Sequence, residues 1–347
     1  MAWLRQGASG GHDGRVDWVD YAKGFCIVFV VLMHSTLGVE SALGREGFVH
    51  HAVEFMTPFR VPDFFLLSGL FVGRVIDRDW RTYLDRKVLH FLYFLLLWSA
   101  IVYLVKGLLF GDGTLAGLPL AVAMALVDPF GTLWFIHLLP VFFVVARLAR
   151  RLPMVLVLGV AAALEIAHVD SGSFIFDQFC ARLVYFLIGY YACGVVFQFA
   201  AWAQSHARLA LAGLVLWALV NGGAVALGVA ALPGLSLALG IAGAMAVVAV
   251  SALMAGRDVF APLRYCGRNT LIIYLAFFLF MATSRVVLIK LGQIDDAGWL
   301  SLVVTLIAVT GPLLMNLAVR NTPARYLFVR PDWTRLAPGR PALQPAE

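Results

Sequence analysis

The sequence predicts an all-α integral membrane protein, a bundle of about ten transmembrane helices with both termini cytoplasmic. Composition is the first reason. Apolar residues make up 62% of the 347 residues and charged residues only 13%, with a mean hydropathy of +0.89. Soluble domains average about 45–50% apolar and about 25% charged. The second reason is length: apolar runs recur at the roughly 20 residues that a helix needs to cross about 30 Å of hydrocarbon. The third is the placement of Lys and Arg, which gather in alternate loops.

Residues 1–20 are polar and form a cytoplasmic N-terminal segment, followed by a membrane domain over 21–320. The first apolar run, 21–40, is too long for the core of a cleavable signal peptide. The second, 58–76, opens with Phe59-Arg60-Val61-Pro62-Asp63, where Pro62 suits a first helical turn. Runs at 88–109 and 131–148 follow, with a surface helix expected over 115–127 between them. The fifth run, 153–169, is short and carries Glu165 and His168 at its end. After 180–200 come two runs rich in Ala and Gly, 208–228 and 234–255, and then 268–289 and 299–319. Ambiguity at the short and small-residue runs leaves nine or eleven as neighbouring counts. The segment 321–347, with prolines at 323, 331, 338, 341 and 345, reads as a loosely ordered cytoplasmic tail.

Basic residues are dense at Arg5 and Arg15, from Arg74 to Lys87, at Arg147, Arg150 and Arg151, at Arg257, Arg264 and Arg268, and from Arg320 to Arg340. The opposite loops carry acids: Glu46 and Glu54, Asp112 and Asp128, Asp170 and Asp177, Asp295 and Asp296. The positive-inside bias therefore puts both termini in the cytoplasm. The net charge of +6 is spread over short loops between apolar runs, which argues against nucleic acid as a partner and for membrane lipids. Cys26, Cys180, Cys193 and Cys266 lack metal-ligand or disulfide-framework spacing, so they read as small hydrophobes, and no metal site is expected.

His34 lies inside the first span, eleven residues after Lys23. An ionisable group at membrane depth marks a functional site by default, and imidazole suits proton transfer. On a helix, eleven residues make almost three turns, which puts Lys23 and His34 on one face roughly 16 Å apart along the axis. A cation at the membrane surface and a base nearer its middle suit an enzyme with a long anionic substrate. Arg60 and Asp63 are three apart, and they read either as an ion pair fixing the start of a span or as a site in which Asp63 orients His34. Ser68-Gly69 allows another helix to come close. The cluster Arg74, Arg78, Arg81, Arg86 and Lys87 suits the phosphates of coenzyme A or, equally, anionic lipid headgroups. Trp134 reads as an interface anchor, and His137 faces an acceptor cavity or water. Asn269 and Thr270 cap the start of the ninth span, which carries Tyr274.

Together these segments resemble the acyltransferase-3 family of integral-membrane acyltransferases, including its fucose O-acetylase-like branch. Lys23 to His34 is similar to the family's signature of a basic residue, a ten-residue gap and a histidine. Phe64-Phe65-Leu66-Leu67-Ser68-Gly69 resembles its phenylalanine-rich Ser-Gly motif, and Tyr83-Leu84-Asp85-Arg86-Lys87 its basic mouth of span three. Leu133-Trp134-Phe135, Phe186-Leu187-Ile188-Gly189-Tyr190 and Asn269 to Tyr274 resemble its later motifs. Three departures bear on the acceptor more than on the donor. The histidine often found after the penultimate-span tyrosine is absent, with Phe277 and Phe278 nearby. A proline is missing before span three, close to His90. Arg60 and Asp63 stand where the family often has histidine and an apolar residue.

The resemblance implies a multi-pass protein of the cell (inner) membrane. It would move an acyl group, usually acetyl from cytoplasmic acetyl-CoA, to a hydroxyl of a glycan or lipid-linked sugar acceptor. His34 would be its essential histidine, with Asp63 beside it. Lys23, Arg74, Arg86 and Lys87 would contact the acyl-CoA co-substrate, no cofactor being permanently bound. Arg60, Ser68, Trp134, His137 and Tyr274 would face the acceptor. The rival reading is a glycolipid transporter or flippase with His34 and Asp63 as a proton relay, against which the chain shows no internal repeat.

Overall fold

The computed structural model describes residues 15–110, 115–257 and 259–336, and the described residues form helices and connecting turns with no strand. In chain order the helices are α1 (Asp17–Leu43), α2 (His50–Met56), α3 (Pro62–Gly69), α4 (Trp80–Leu84), α5 (His90–Phe110), α6 (Leu118–Met124), α7 (Trp134–Ala149) and α8 (Met154–Ile166). They continue as α9 (Phe174–Tyr191), α10 (Cys193–Ser205), α11 (Ala207–Ala226), α12 (Leu235–Ala255), α13 (Ala261–Arg268), α14 (Thr270–Leu291) and α15 (Ala297–Val319). A π-helical turn, Asp85–Leu89, joins α4 to α5 so that one continuous helix runs through both.

Among the described residues six helices are long and apolar enough to cross a membrane: α1, the continuous α4–α5 helix, α11, α12, α14 and α15. The pair α9 and α10, bent by 74° between Tyr191 and Cys193, makes a seventh if it is one span. This is a multi-pass membrane protein, with fewer full-length spans than the ten apolar runs suggest. Hydropathy counts apolar residues but does not see where a helix stops. The run 58–76 breaks into the eight-residue α3 and a short 3-10 turn at Val72–Arg74. The 16 residues of α7 and 13 of α8 reach only about 24 and about 20 Å, against roughly 30 Å of hydrocarbon. Arg150, Arg151 and Pro153 end one and begin the other. The surface helix expected over 115–127 is the short 3-10 turn Leu115–Gly117 followed by α6.

The described chain divides into two compact units. The first holds residues 15–71 and 152–314 and is organised around α1, which packs on α3, α12, α13 and α14. Membrane helices gain little from hydrophobic exclusion of one another, so close packing at small residues holds them together. A side chain on Gly24 would run into the Leu263 carbonyl, and one on Gly267 into the Asp20 carbonyl, so α1 and α13 meet backbone to backbone. The same holds where α3 crosses α9: Gly69 faces the Phe186 carbonyl and Gly189 the Leu66 carbonyl. Asp20 and Asp17 of α1 then clamp Arg268 at 3.0 and 3.4 Å. Trp18, Cys26, Met56, Phe59, Leu66 and Val248 share one buried cluster between these helices.

The second unit, residues 72–151 and 315–336, is built on α4 to α7. The Asp79 carboxylate caps α4 by accepting from the Thr82 amide at 2.8 Å. The Tyr83 hydroxyl donates to the Phe143 carbonyl at 2.8 Å, and the buried Arg147 lies against the rings of Trp80 and Tyr83 while donating to the Ile76 and Arg78 carbonyls. Beyond α15 the chain turns at Pro323–Leu327 and Asp332–Thr334. Trp98 Nε1 donates to the Leu327 carbonyl at 2.9 Å, and Arg330 is paired with Asp85 at 2.8 Å. From residue 337 on, the expected loose tail lies outside the described residues.

Candidate active site

In the first unit, α1 carries both Lys23 and His34, as the spacing requires. Each is half-buried. The Lys23 ammonium sits 5.9 Å from the centre of the Phe71 ring, and its charge is felt by Cys26 one turn along. No hydrogen bond engages either nitrogen of His34 among the described residues. Its ring lies 5.6 Å from that of Phe277 on α14, and Phe277 in turn lies 6.4 Å from Tyr274, so the buried Tyr274 backs the histidine through one intervening ring. The Arg60 guanidinium is close enough for its charge to reach His34.

Arg60 and Asp63 do not pair. Among the described residues no ion pair joins them, although each feels the other's charge, and Arg60 Nη1 donates to the Thr57 hydroxyl at 3.1 Å. Asp63, 1% exposed, turns its carboxylate to the Cys26 thiol of α1, with neither oxygen completing a well-formed hydrogen bond. Among the described residues no hydrogen bond joins Asp63 to His34. Ser68 spends its hydroxyl on the Phe64 carbonyl at 2.8 Å within α3, leaving Gly69 as the member of that motif that shapes the helix crossing.

The remaining sequence candidates belong to the second unit. Arg74 and Arg86 are exposed, whereas Lys87 is half-buried with its ammonium 4.6 Å from the centre of the Phe143 ring. The π turn carries both Arg86 and Lys87. Such a turn inserts an extra residue into the helical ladder and recurs at functional positions. Trp134 is the first residue of α7; His137, one turn on, is half-buried with Nδ1 enclosed and without a hydrogen-bond partner.

The first unit also holds a cavity of about 390 Å³ that the sequence does not announce, its largely apolar wall carrying several polar groups. It is lined by Arg182 and Tyr185 of α9, Glu165 of α8, Ser236 of α12, and Glu54 and Thr57. Glu165, 4% exposed, accepts from Ser236 at 2.9 Å and from Tyr185 at 3.3 Å, and its second oxygen is buried with no partner among the described residues. An arginine inside an apolar run was the available signal. The apolar run 180–200 makes Arg182 a terminal residue, whereas α9 begins at Phe174 and sets Arg182 two turns in. A second, wholly apolar cleft of about 570 Å³ lies between Phe25, Phe29, Phe55, Phe59 and Trp217.

Over an 83-residue alignment the chain is 32% identical to the inner membrane protein YcfT of Escherichia coli (strain K12). That stretch amounts to 20% of this chain and 23% of that protein, so the similarity spans less than a quarter of the relative's length. No solved structure matches the chain. Residues 16–317 match the family described as an acyltransferase domain, from the start of α1 to within α15, a range that takes in Lys23, His34 and the Ser-Gly motif. With that match running through nearly all of its helices, the chain belongs to the acyltransferase-3 family of membrane proteins.

Proposed function

We propose that the protein is a membrane-bound O-acyltransferase. It moves an acyl group, acetyl in the simplest case, from cytoplasmic acyl-CoA to a hydroxyl of a glycan, glycolipid or related cell-envelope acceptor. The observation that carries this reading is His34: an imidazole within a membrane-spanning helix, still partly accessible, with neither nitrogen tied up by a neighbour. A histidine kept for packing alone would be expected to have its N–H satisfied. Family membership supports the chemistry.

In this reading His34 is the general base. As the acceptor oxygen attacks the thioester carbonyl, His34 takes the hydroxyl proton. The new C–O bond forms, the C–S bond breaks, and the proton passes to the departing thiolate, so the products are an ester and free coenzyme A. Lys23 holds the coenzyme from the cytoplasmic end of the same helix face, an orientation that the loop charges support. Arg74, Arg86 and Lys87, which the family resemblance implies as donor contacts, belong to the second unit and are given no step here. Asp63, turned towards Cys26, shapes the surroundings of α1 and is given no proton-transfer step.

The test is purified protein in detergent, supplied with radiolabelled acetyl-CoA and a panel of glycosides. Label should pass to a glycoside, and His34→Ala should abolish transfer while leaving the gel-filtration profile intact. Full activity in that variant overturns the assignment. Turnover without two compartments also excludes the transporter reading, since a transporter has none in detergent. Label recovered on the His34 peptide would make the histidine a nucleophile rather than a base.

A further inference from the structure

The cavity beside α9 is unusual in the chemistry it gathers. Arg182 Nε donates to Gln178 Oε1 at 3.2 Å, and its two terminal nitrogens have no hydrogen bond among the described residues. Glu165 and Tyr185 are within reach of its charge, yet among the described residues no carboxylate forms an ion pair with it. The Arg60 guanidinium is also close enough for the two positive charges to interact. Two partly buried cations close enough to interact, neither in an ion pair among the described residues, repel each other and have lost hydration. Such an arrangement is stabilised when an anion arrives, and guanidinium forks match carboxylate and phosphate geometry.

The other lining groups define the rest of the ligand. The second oxygen of Glu165 is buried, without a partner, and belongs to a residue that lines the cavity, so it calls for a hydroxyl or amide donor. The Ser236 hydroxyl and Tyr185 hydroxyl orient that carboxylate from the other side, and His168 steadies Ser236 at 3.2 Å. Glu54, which also lines the cavity, lies 3.2 Å from His51 and 3.8 Å from His50. The lining therefore offers one strong anion receptor and one strong hydroxyl receptor. The Thr57 hydroxyl, which lines the cavity, accepts from Arg60, and Arg60 is the cation whose charge reaches His34.

We propose that this cavity is the acceptor subsite, and that it takes a hydroxyl-bearing molecule with a negatively charged oxyanion, a sugar carboxylate or a sugar phosphate. Arg182 binds the oxyanion, Arg60 adds to the attraction, and Glu165 accepts a sugar hydroxyl. The inference rests on reading His34 as the centre of an acyltransferase. It adds that the acceptor is anionic.

The full-length protein in detergent, without acyl-CoA, is titrated calorimetrically with three probes: 4-nitrophenyl glucoside, 4-nitrophenyl glucuronide and glucose 1-phosphate. A charge-assisted bond made only by the anions should favour them about tenfold or more over the neutral glucoside. Whichever of the two charged probes binds tighter identifies the oxyanion as carboxylate or phosphate. In Arg182→Gln that preference should fall to near unity, and in Arg182→Lys it should survive in part. Equal binding of charged and neutral probes by the unaltered protein overturns the proposal, whether or not the variants fold. So does a preference unchanged in Arg182→Gln. Radiolabelled acetyl-CoA is then added to the same samples: selective binding with no transfer of label overturns the acyltransferase reading while leaving the anion site standing.

Discussion

The ring of Phe277 lies 5.6 Å from the imidazole of His34, centre to centre and tilted by 36°. Phe277 is fully buried, three residues after Tyr274, in the stretch of α14 where the family often has a histidine. An apolar ring cannot share a proton with His34, so its contribution is to fix the plane of the imidazole. Phe277→Ala should lower kcat at least tenfold and, as a large-to-small change at a buried site, cost about 3–5 kcal/mol of stability. Thermal denaturation and steady-state kinetics would check both. Phe277→Leu should retain most of the stability but not the orientation. If kcat is unaffected by Phe277→Ala, the ring is only packing.

Lys23 should separate donor binding from chemistry. Lys23→Gln removes a charge some 16 Å along the helix from His34 and should raise KM for acyl-CoA about tenfold with kcat nearly unchanged. Varying acyl-CoA at saturating acceptor reads the split. A fall in kcat alone would move Lys23 out of the donor path.

The crossing of α3 and α9 tolerates no side chain. Gly69→Ala and Gly189→Ala each push a methyl group into a backbone carbonyl of the other helix, and overpacking of this kind costs about 1–3 kcal/mol. Both variants should melt earlier in detergent, with the double variant no worse than the sum because one separation of the helices relieves both contacts. Ser68→Ala, which removes only a bond within α3, should melt close to the unaltered protein.

Outside the membrane spans, His50 bonds Glu40 at 2.8 Å, with Glu46 and Glu54 both 3.8 Å away. The hydrogen bond to Glu40, helped by the charge of all three carboxylates, raises the His50 pKa above its ordinary value of 6.5. A raised folded-state value means the charged form is the stabilising one. Its contribution is complete below the unfolded value and is lost as pH climbs through the folded value. The melting temperature of the unaltered protein should therefore exceed that of His50→Gln most at pH 6 and by less at pH 9. A gap that widens with pH would contradict the assignment.

In the second unit Arg330 holds Asp85 by two routes, Nη2 to the carboxylate at 2.8 Å and Nη1 to the backbone carbonyl at 2.6 Å. The Asp85 carboxylate also accepts from the Leu336 amide at 2.9 Å. Removing one member of a buried pair leaves the other charge without compensation, at a cost of about 3–5 kcal/mol. Arg330→Ala should expose the segment after α15 to protease well before the helices are cut. Protection equal to that of the unaltered protein would show that Trp98 and Tyr93, which also bond this segment, suffice.

Several of these relationships could be read in the chain and others could not. That Lys23 and His34 share a face needs only the pitch of a helix, and Gly69 as a crossing point follows from its lack of a side chain. Arg60 and Asp63 have the spacing of a pair, yet Arg60 donates to the Thr57 hydroxyl and the Val53 carbonyl instead. The Asp63 carboxylate then meets Cys26, a residue thirty-seven positions away that no spacing rule connects to it. Arg182 and Glu165 come from different helices, and their shared cavity with Ser236 exists only once α8, α9 and α12 are packed.

What the amino acids determine alone is a matter of solvent and local geometry: an apolar chain with few charges must fold as membrane helices, because unpaired backbone groups are intolerable in hydrocarbon. Helix ends, the bend between α9 and α10, and the company each polar side chain keeps were decided by packing. Inside a membrane a polar group must find its partner among whichever helices lie beside it, and that neighbourhood is a property of the assembled bundle rather than of any one segment.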